Sequence, residues 1–158
     1  MKTRTIATLT LMTAVILCLC ASIAAAQNKP NFSGAWKLNL EKSKFGALEG
    51  VSNMEVKIDH ADPSFSESIT LTSGAGDRIF EGKYTTDGKE SDVKLPVGAA
   101  MAIAKWEGDA LIVEWKNEGG FHLRRKYIIS ADGKTLTVRS RNPSQQDEDS
   151  DIIVLEKQ

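Results

Sequence analysis

Arg125 sits in the run Phe121-His122-Leu123-Arg124-Arg125-Lys126-Tyr127-Ile128-Ile129, where its neighbours two residues apart are apolar or aromatic. Alternate side chains of an extended strand share a face, which puts the guanidinium on the dry side with Phe121, Leu123, Tyr127 and Ile129. A charge there is costly unless a counter-group, a cap or a wet cavity receives it. Two readings stay open. Arg125 can anchor the acidic head of a bound molecule, since a guanidinium grips a carboxylate through two parallel hydrogen bonds, or it can lie over an indole and close one end of the fold. Glu67 is the second charge with an inward phase; it can pair with Arg125, accept from the Tyr84 hydroxyl, or stand at a rim open to water, the plainest of the three. Tyr84 and Ser91 add neutral hydrogen-bonding groups to the same face, and Trp106, Trp115 and Tyr127 add large rings with polar tips. Such a set suits binding: apolar walls for affinity and a few polar groups to orient a ligand's head.

The residues give no comparable case for catalysis. There is no Ser-His-Asp arrangement, no Gly-rich loop to cradle phosphate and no close carboxylate pair, so the chain reads as a non-enzyme, with Glu67 as a general base the remaining alternative. His60 and His122 fall on opposite faces, and both cysteines, Cys18 and Cys20, lie in the N-terminal leader, so neither a metal site nor another cofactor is expected.

These groups are positioned by strands. Turn signals recur at Asp62-Pro63, Gly74 to Asp77, Asp87-Gly88, Pro96 to Gly98, Gly108-Asp109, Glu118 to Gly120 and Asp132-Gly133, with alternating segments between them. Closing each turn into a hairpin puts the apolar residues of both arms on one face. Around Ala61 to Ser64, His60 meets Phe65, Ile58 meets Glu67, Val56 meets Ile69 and Met54 meets Leu71. A four-residue loop at Gly74 to Asp77 sets Leu71 on Phe80, Ile69 on Gly82 and Glu67 on Tyr84. Around Asp87-Gly88, Tyr84 faces Ser91, Gly82 faces Val93 and Phe80 faces Leu95, with Lys83 opposite Asp92 and Glu81 opposite Lys94 outside. Later turns pair Trp106 with Leu111, Ala104 with Val113, Val113 with Arg125, Leu111 with Tyr127, Tyr127 with Val138 and Arg125 with Ser140. On the outer face Lys126 meets Arg139 and Arg124 meets Arg141, like charges that acidic Asp147-Glu148-Asp149-Asp151 could neutralise by folding back. Otherwise they form an anion- or envelope-binding patch.

No segment has a convincing helical period; Glu41 to Ser52 has room for a turn or two. The expected fold is all-β, a single antiparallel up-and-down barrel of about eight to ten strands, with a two-sheet sandwich as the alternative. Gly82, Ser91, Ala102, Ala104 and Ser140, small residues among the inward rings, leave open whether the interior is a cavity or filled.

The run Asn31-Phe32-Ser33-Gly34-Ala35-Trp36-Lys37-Leu38 resembles the Gly-x-Trp first strand of the lipocalin and fatty-acid-binding (calycin) barrels, with Gly34 and Trp36 as the motif residues. The final Asp151-Ile152-Ile153-Val154-Leu155-Glu156-Lys157 resembles the last strand of the fatty-acid-binding proteins. Tyr84 to Glu90, Lys105 to Glu114 and Ser130 to Val138 look like stretches of small secreted bacterial lipocalin-like proteins, a group that implies no particular activity. The resemblance implies a barrel holding a small apolar or amphipathic ligand, and an Arg lying over Trp36 at its floor. Two features depart from it: about a dozen residues join the first two strands, too few for a two-helix lid, and no second lipocalin motif or family disulfide is found.

Lys2 and Arg4, the apolar stretch Ile6 to Ile23 and the small residues Ala24-Ala25-Ala26 read as a signal peptide over 1–26, followed by one domain over 27–158. Export implies a secreted or periplasmic protein without stable membrane insertion after cleavage. Loss of Lys2 and Arg4 takes the net charge from −1 to about −3, which gives nucleic acid no reason to bind. The alternative to a ligand-holding barrel is a filled barrel acting through its surface as an interaction or inhibitor-like envelope protein; ligand identity and oligomeric state stay open.

Overall fold

A computed structural model describes residues 29–46, 48, 50–96, 98–143 and 149–158; the leader, 1–26, lies outside them. The described residues form ten strands: β1 (Gly34–Leu38), β2 (Val51–Ala61), β3 (Ser64–Ser73), β4 (Gly76–Thr85), β5 (Asp87–Leu95), β6 (Gly98–Glu107), β7 (Ala110–Lys116), β8 (His122–Ile129), β9 (Thr135–Arg141) and β10 (Asp151–Lys157). All pairings are antiparallel in one sheet ordered β4-β3-β2-β1-β10-β9-β8-β7-β6-β5. The first and last strands pair at the centre, Trp36 opposite Lys157, and the sheet curls into a nearly closed up-and-down barrel rather than a sandwich.

Alternation accounts for most of it. On β2 the even-numbered residues from Met54 to His60 are buried and their neighbours exposed, and the same period on β3 buries Phe65, Glu67, Ile69 and Leu71. The registers expected for β2–β3, β6–β7, β7–β8 and β8–β9 are those found. The core joins Trp36, Val56, Phe65, Ile69, Tyr84, Leu111, Val113, Trp115, Tyr127, Leu136, Ile153 and Leu155.

Two hairpins differ from expectation. In β3–β4 the turn is two residues, not four, because Ser73 pairs with Gly76; Gly76 has φ +99° and Ser73 Oγ accepts from the Ala75 N–H at 3.3 Å. Glu67 therefore meets Gly82, and Ile69 meets Phe80. A slide of two residues keeps every side chain on its face, which is why the inward set survives.

The second difference is larger: β4 and β5 form no ladder and are the two edges of the sheet. Tyr84–Ser91, Gly82–Val93 and Phe80–Leu95 are not hydrogen-bonded pairs. The chain between them is held elsewhere. The Thr86 N–H donates to the Pro63 carbonyl at 2.8 Å, and the Thr86 hydroxyl donates to Asp62. Asp87 accepts from the Thr85 hydroxyl at 2.7 Å and from Lys89 Nζ at 2.5 Å, and these donors, Lys89 first, hold its carboxyl down at about 2. With its corner tied to the β2–β3 turn, β5 departs along β6, and a bulge between Asp87 and Glu90 bends it further.

No helix covers the barrel among the described residues. The connection from β1 to β2 instead runs beside β10: the Asn39 N–H donates to the Val154 carbonyl, and Lys44 and Ile152 exchange backbone bonds. Asp151, buried, turns inward and accepts from the N–H groups of Gly46 at 2.9 Å and Leu48 at 3.0 Å. Gly46 is required there, since a Cβ would lie 2.5 Å from the Ser150 carbonyl oxygen. Of the acidic stretch, Asp149 pairs with Arg139 at 3.3 Å, Asp151 holds this loop, and Asp147 and Glu148 lie outside the described residues.

Candidate functional site: a polar cluster on an apolar cavity

Glu67 is 6 % exposed, so the rim reading is corrected: it is an interior carboxylate. It accepts from the Tyr84 hydroxyl at 2.5 Å and from the Tyr127 hydroxyl at 2.9 and 3.1 Å. Tyr84 reaches it from the neighbouring strand because Gly82 stands opposite Glu67; a Cβ on Gly82 would lie 2.8 Å from Tyr84 Cε1 and 3.5 Å from Glu67 Oε1. Tyr127 comes from β8, across the barrel, and reaches Glu67 only because the sheet closes. Burial first, then the charge of Glu67, pushes both phenols well above their ordinary range, so each stays protonated and donates. Phe65 stacks on Tyr84 at 5.3 Å, and Trp115 meets Tyr84 edge-on at 6.1 Å, which fixes the ring that carries the donor.

Arg125 is half-buried, with its guanidinium carbon 5.3 Å from the Trp115 ring centroid. The expected stack on Trp36 does not form. Trp36 lies on β1 beside β10, so Lys157 covers it, its Nζ 5.2 Å from the ring, while the indole N–H donates to the Phe32 carbonyl at 3.0 Å. Gly34, at φ +142°, leaves space for that lysine, since a Cβ would lie 2.9 Å from Lys157 Cε. Burial works against the Arg125 charge, but Tyr127 and Glu67 beside it more than offset this and hold its proton above the usual range. Its Nε is buried without an acceptor.

A cavity opens on this cluster. Glu67, Arg125, Tyr127 and Ser140 form its polar wall; Met54, Val56, Ile69, Val138, Ile153 and Leu155 form the apolar one, and Leu48 from the β1–β2 connection completes it. It holds about 340 Å³ of free space with its mouth included, yet the centre of a water-sized sphere has only about 20 Å³ to move in, close to the least that admits one water.

The structure thus brings Arg125, Glu67, Tyr84 and Tyr127 together, with Trp115 packed against them. Ser91, on β5, pairs with Ala102 of β6 and lies outside the cavity lining. Trp106 lies outside the cavity lining at the β2–β3 turn, where its indole N–H donates to Asp62 at 3.0 Å and its ring stacks on Phe32 at 5.8 Å. His60 is there too, with Nδ1 accepting from the Phe32 N–H at 3.3 Å and Nε2 3.7 Å from Asp62. Among the described residues no group of three or more His, Cys, Asp or Glu is placed to hold a metal ion. Leu48 was not foreseen as a wall residue, because an irregular connection carries no period to read; the role of Ser140 follows from its pairing with Arg125.

The fold is that of a calycin barrel. Solved structures similar to it include a REP1-NXSQ fatty acid transporter (TM-score 0.60, 14 % identity, 80 % of this chain and 95 % of that one) and the Echinococcus granulosus fatty-acid-binding protein 1 (0.59, 15 %, 80 % and 96 %). Human cRBP IV is similar as well (0.58, 16 %, 82 % and 99 %). No protein-family model and no curated protein matches the sequence. At these identities the likeness is one of fold.

Proposed function

We propose that this protein is a binding module that holds a small apolar or amphipathic molecule inside the barrel. The observation that carries the reading is the cavity itself: lined mostly by apolar side chains, with the Glu67–Tyr127–Arg125 cluster among them. Apolar walls supply affinity at about 25 cal/mol per Å² covered, and the polar wall orients the ligand's head. The names of the structural neighbours, a fatty acid transporter and a fatty-acid-binding protein, support the same class of ligand. We read the chain as non-enzymatic, because Glu67 is committed to two hydroxyl donors. The basic, apolar and small-residue pattern of 1–26 supports export to the periplasm or beyond.

Because the free space is narrow, loading needs part of the lining to yield. Native mass spectrometry of protein purified from its own source tests the reading: a retained small molecule, released on unfolding, is the expected result. A ligand-free protein whose Trp emission ignores a panel of apolar acids, alcohols and esters would sink it. That narrow interior is also what favours the second reading, a filled barrel acting through its surface in the cell envelope; a partner captured by the wild type and lost on reversing Arg139 and Arg141 would establish that one.

A further inference from the structure

The polar wall carries both charges of an ion pair without a direct contact between them. Tyr127 spends its hydroxyl hydrogen on Glu67, and that phenol and carboxylate are the groups beside Arg125 that sustain its charge. Among the described residues no carboxylate touches the guanidinium directly, and the buried Nε–H has no acceptor. The cavity lining therefore carries a guanidinium with N–H groups left to donate and a carboxylate that balances its charge.

Resting on the ligand-holding role proposed above, we infer that the cavity selects apolar molecules whose polar group is a neutral hydrogen-bond acceptor, an ester, ketone or alcohol oxygen, over molecules ending in a free carboxylate. A neutral oxygen accepts from the Arg125 guanidinium and adds no charge. A carboxylate makes the same bond but places a second anion beside Glu67, in a low-dielectric interior where like charges repel strongly. It also gives up its hydration for a guanidinium already balanced by Glu67. The chain carries its own acid where an acidic ligand would need to be alone.

The test compares methyl decanoate, 1-decanol and decanoate by calorimetric titration of the purified protein at about pH 8, where decanoate is ionised. The wild type is expected to bind the ester and the alcohol at least about tenfold more tightly than the acid, a difference of about 1.4 kcal/mol. Glu67→Gln keeps a carbonyl to accept from the tyrosines and removes the anion; circular dichroism confirms its fold, and its preference should move toward decanoate by at least about tenfold. Arg125→Met removes the free donor and should weaken the ester several-fold while the acid stays weak, and the wild-type ratio decides alone if neither variant folds. Equal or tighter binding of decanoate by the wild type overturns the inference and leaves the binding module standing, as does a Glu67→Gln protein with an unchanged ratio. Failure of all three ligands to bind overturns both.

Discussion

Tyr84 donates its hydroxyl to Glu67 over 2.5 Å from a ring clamped between Phe65 and Trp115, and the glycine at 82 is what lets that ring lie where it does. A hydrogen bond to a buried charge is worth about 1.5–3 kcal/mol, more than a neutral one. Tyr84→Phe should therefore lower unfolding stability by about that amount in urea titrations, with the denaturant slope unchanged. A loss under about 0.5 kcal/mol would mean that water or another group already serves Glu67. The sequence placed Glu67, Tyr84, Tyr127 and Arg125 on one face by alternation alone. It left open whether Glu67 met water, because exposure depends on what stands across the barrel, and that is Tyr127, five strands away in the ring order.

Among the elements, the β2–β3 turn does the most for little length. His60 Nδ1 accepts from the Phe32 N–H and thereby ties the segment before β1 to the end of β2, while Asp62 takes hydrogen bonds from Thr86 and Trp106. Burial lowers the His60 pKa, opposed by the charge of Asp62. The sign follows from linkage: the unfolded chain takes up a proton near 6.5, and the folded chain resists it until a lower pH. The stability tied to His60 is thus complete above about pH 6.5 and declines as pH falls through that value toward the folded pKa. Asp62, lowered by Thr86 first, contributes in a separate window, below its ordinary 3.8. Urea midpoints of the wild type should fall between about pH 7.5 and pH 5.5, and His60→Gln should flatten that part of the slope; parallel profiles would remove His60 as the cause.

The whole molecule is a ring with one seam. Every strand boundary carries a ladder except that between β4 and β5, so the facing N–H groups of these edges lack backbone partners. Exposed edges invite pairing with other chains, and the outward charges of Asp77, Glu81 and Lys83 on β4 and of Glu90, Asp92 and Lys94 on β5 oppose it. Amide hydrogen exchange should be fastest along the seam-facing amides of β4 and β5 and slower in β1–β3 and β6–β10, which have ladders on both sides. Uniform protection around the ring would show that the seam closes in solution. Alternation with a period of two and the turn residues determined on their own the strands, their faces and four of the hairpin registers, because both signals act between neighbours in the chain. Only the tertiary structure decided that β4 parts from β5, that Lys157 rather than Arg125 covers Trp36, and that Tyr127 reaches Glu67. Each of those depends on which distant strands meet when the sheet curls, and no local pattern in the residues records that encounter.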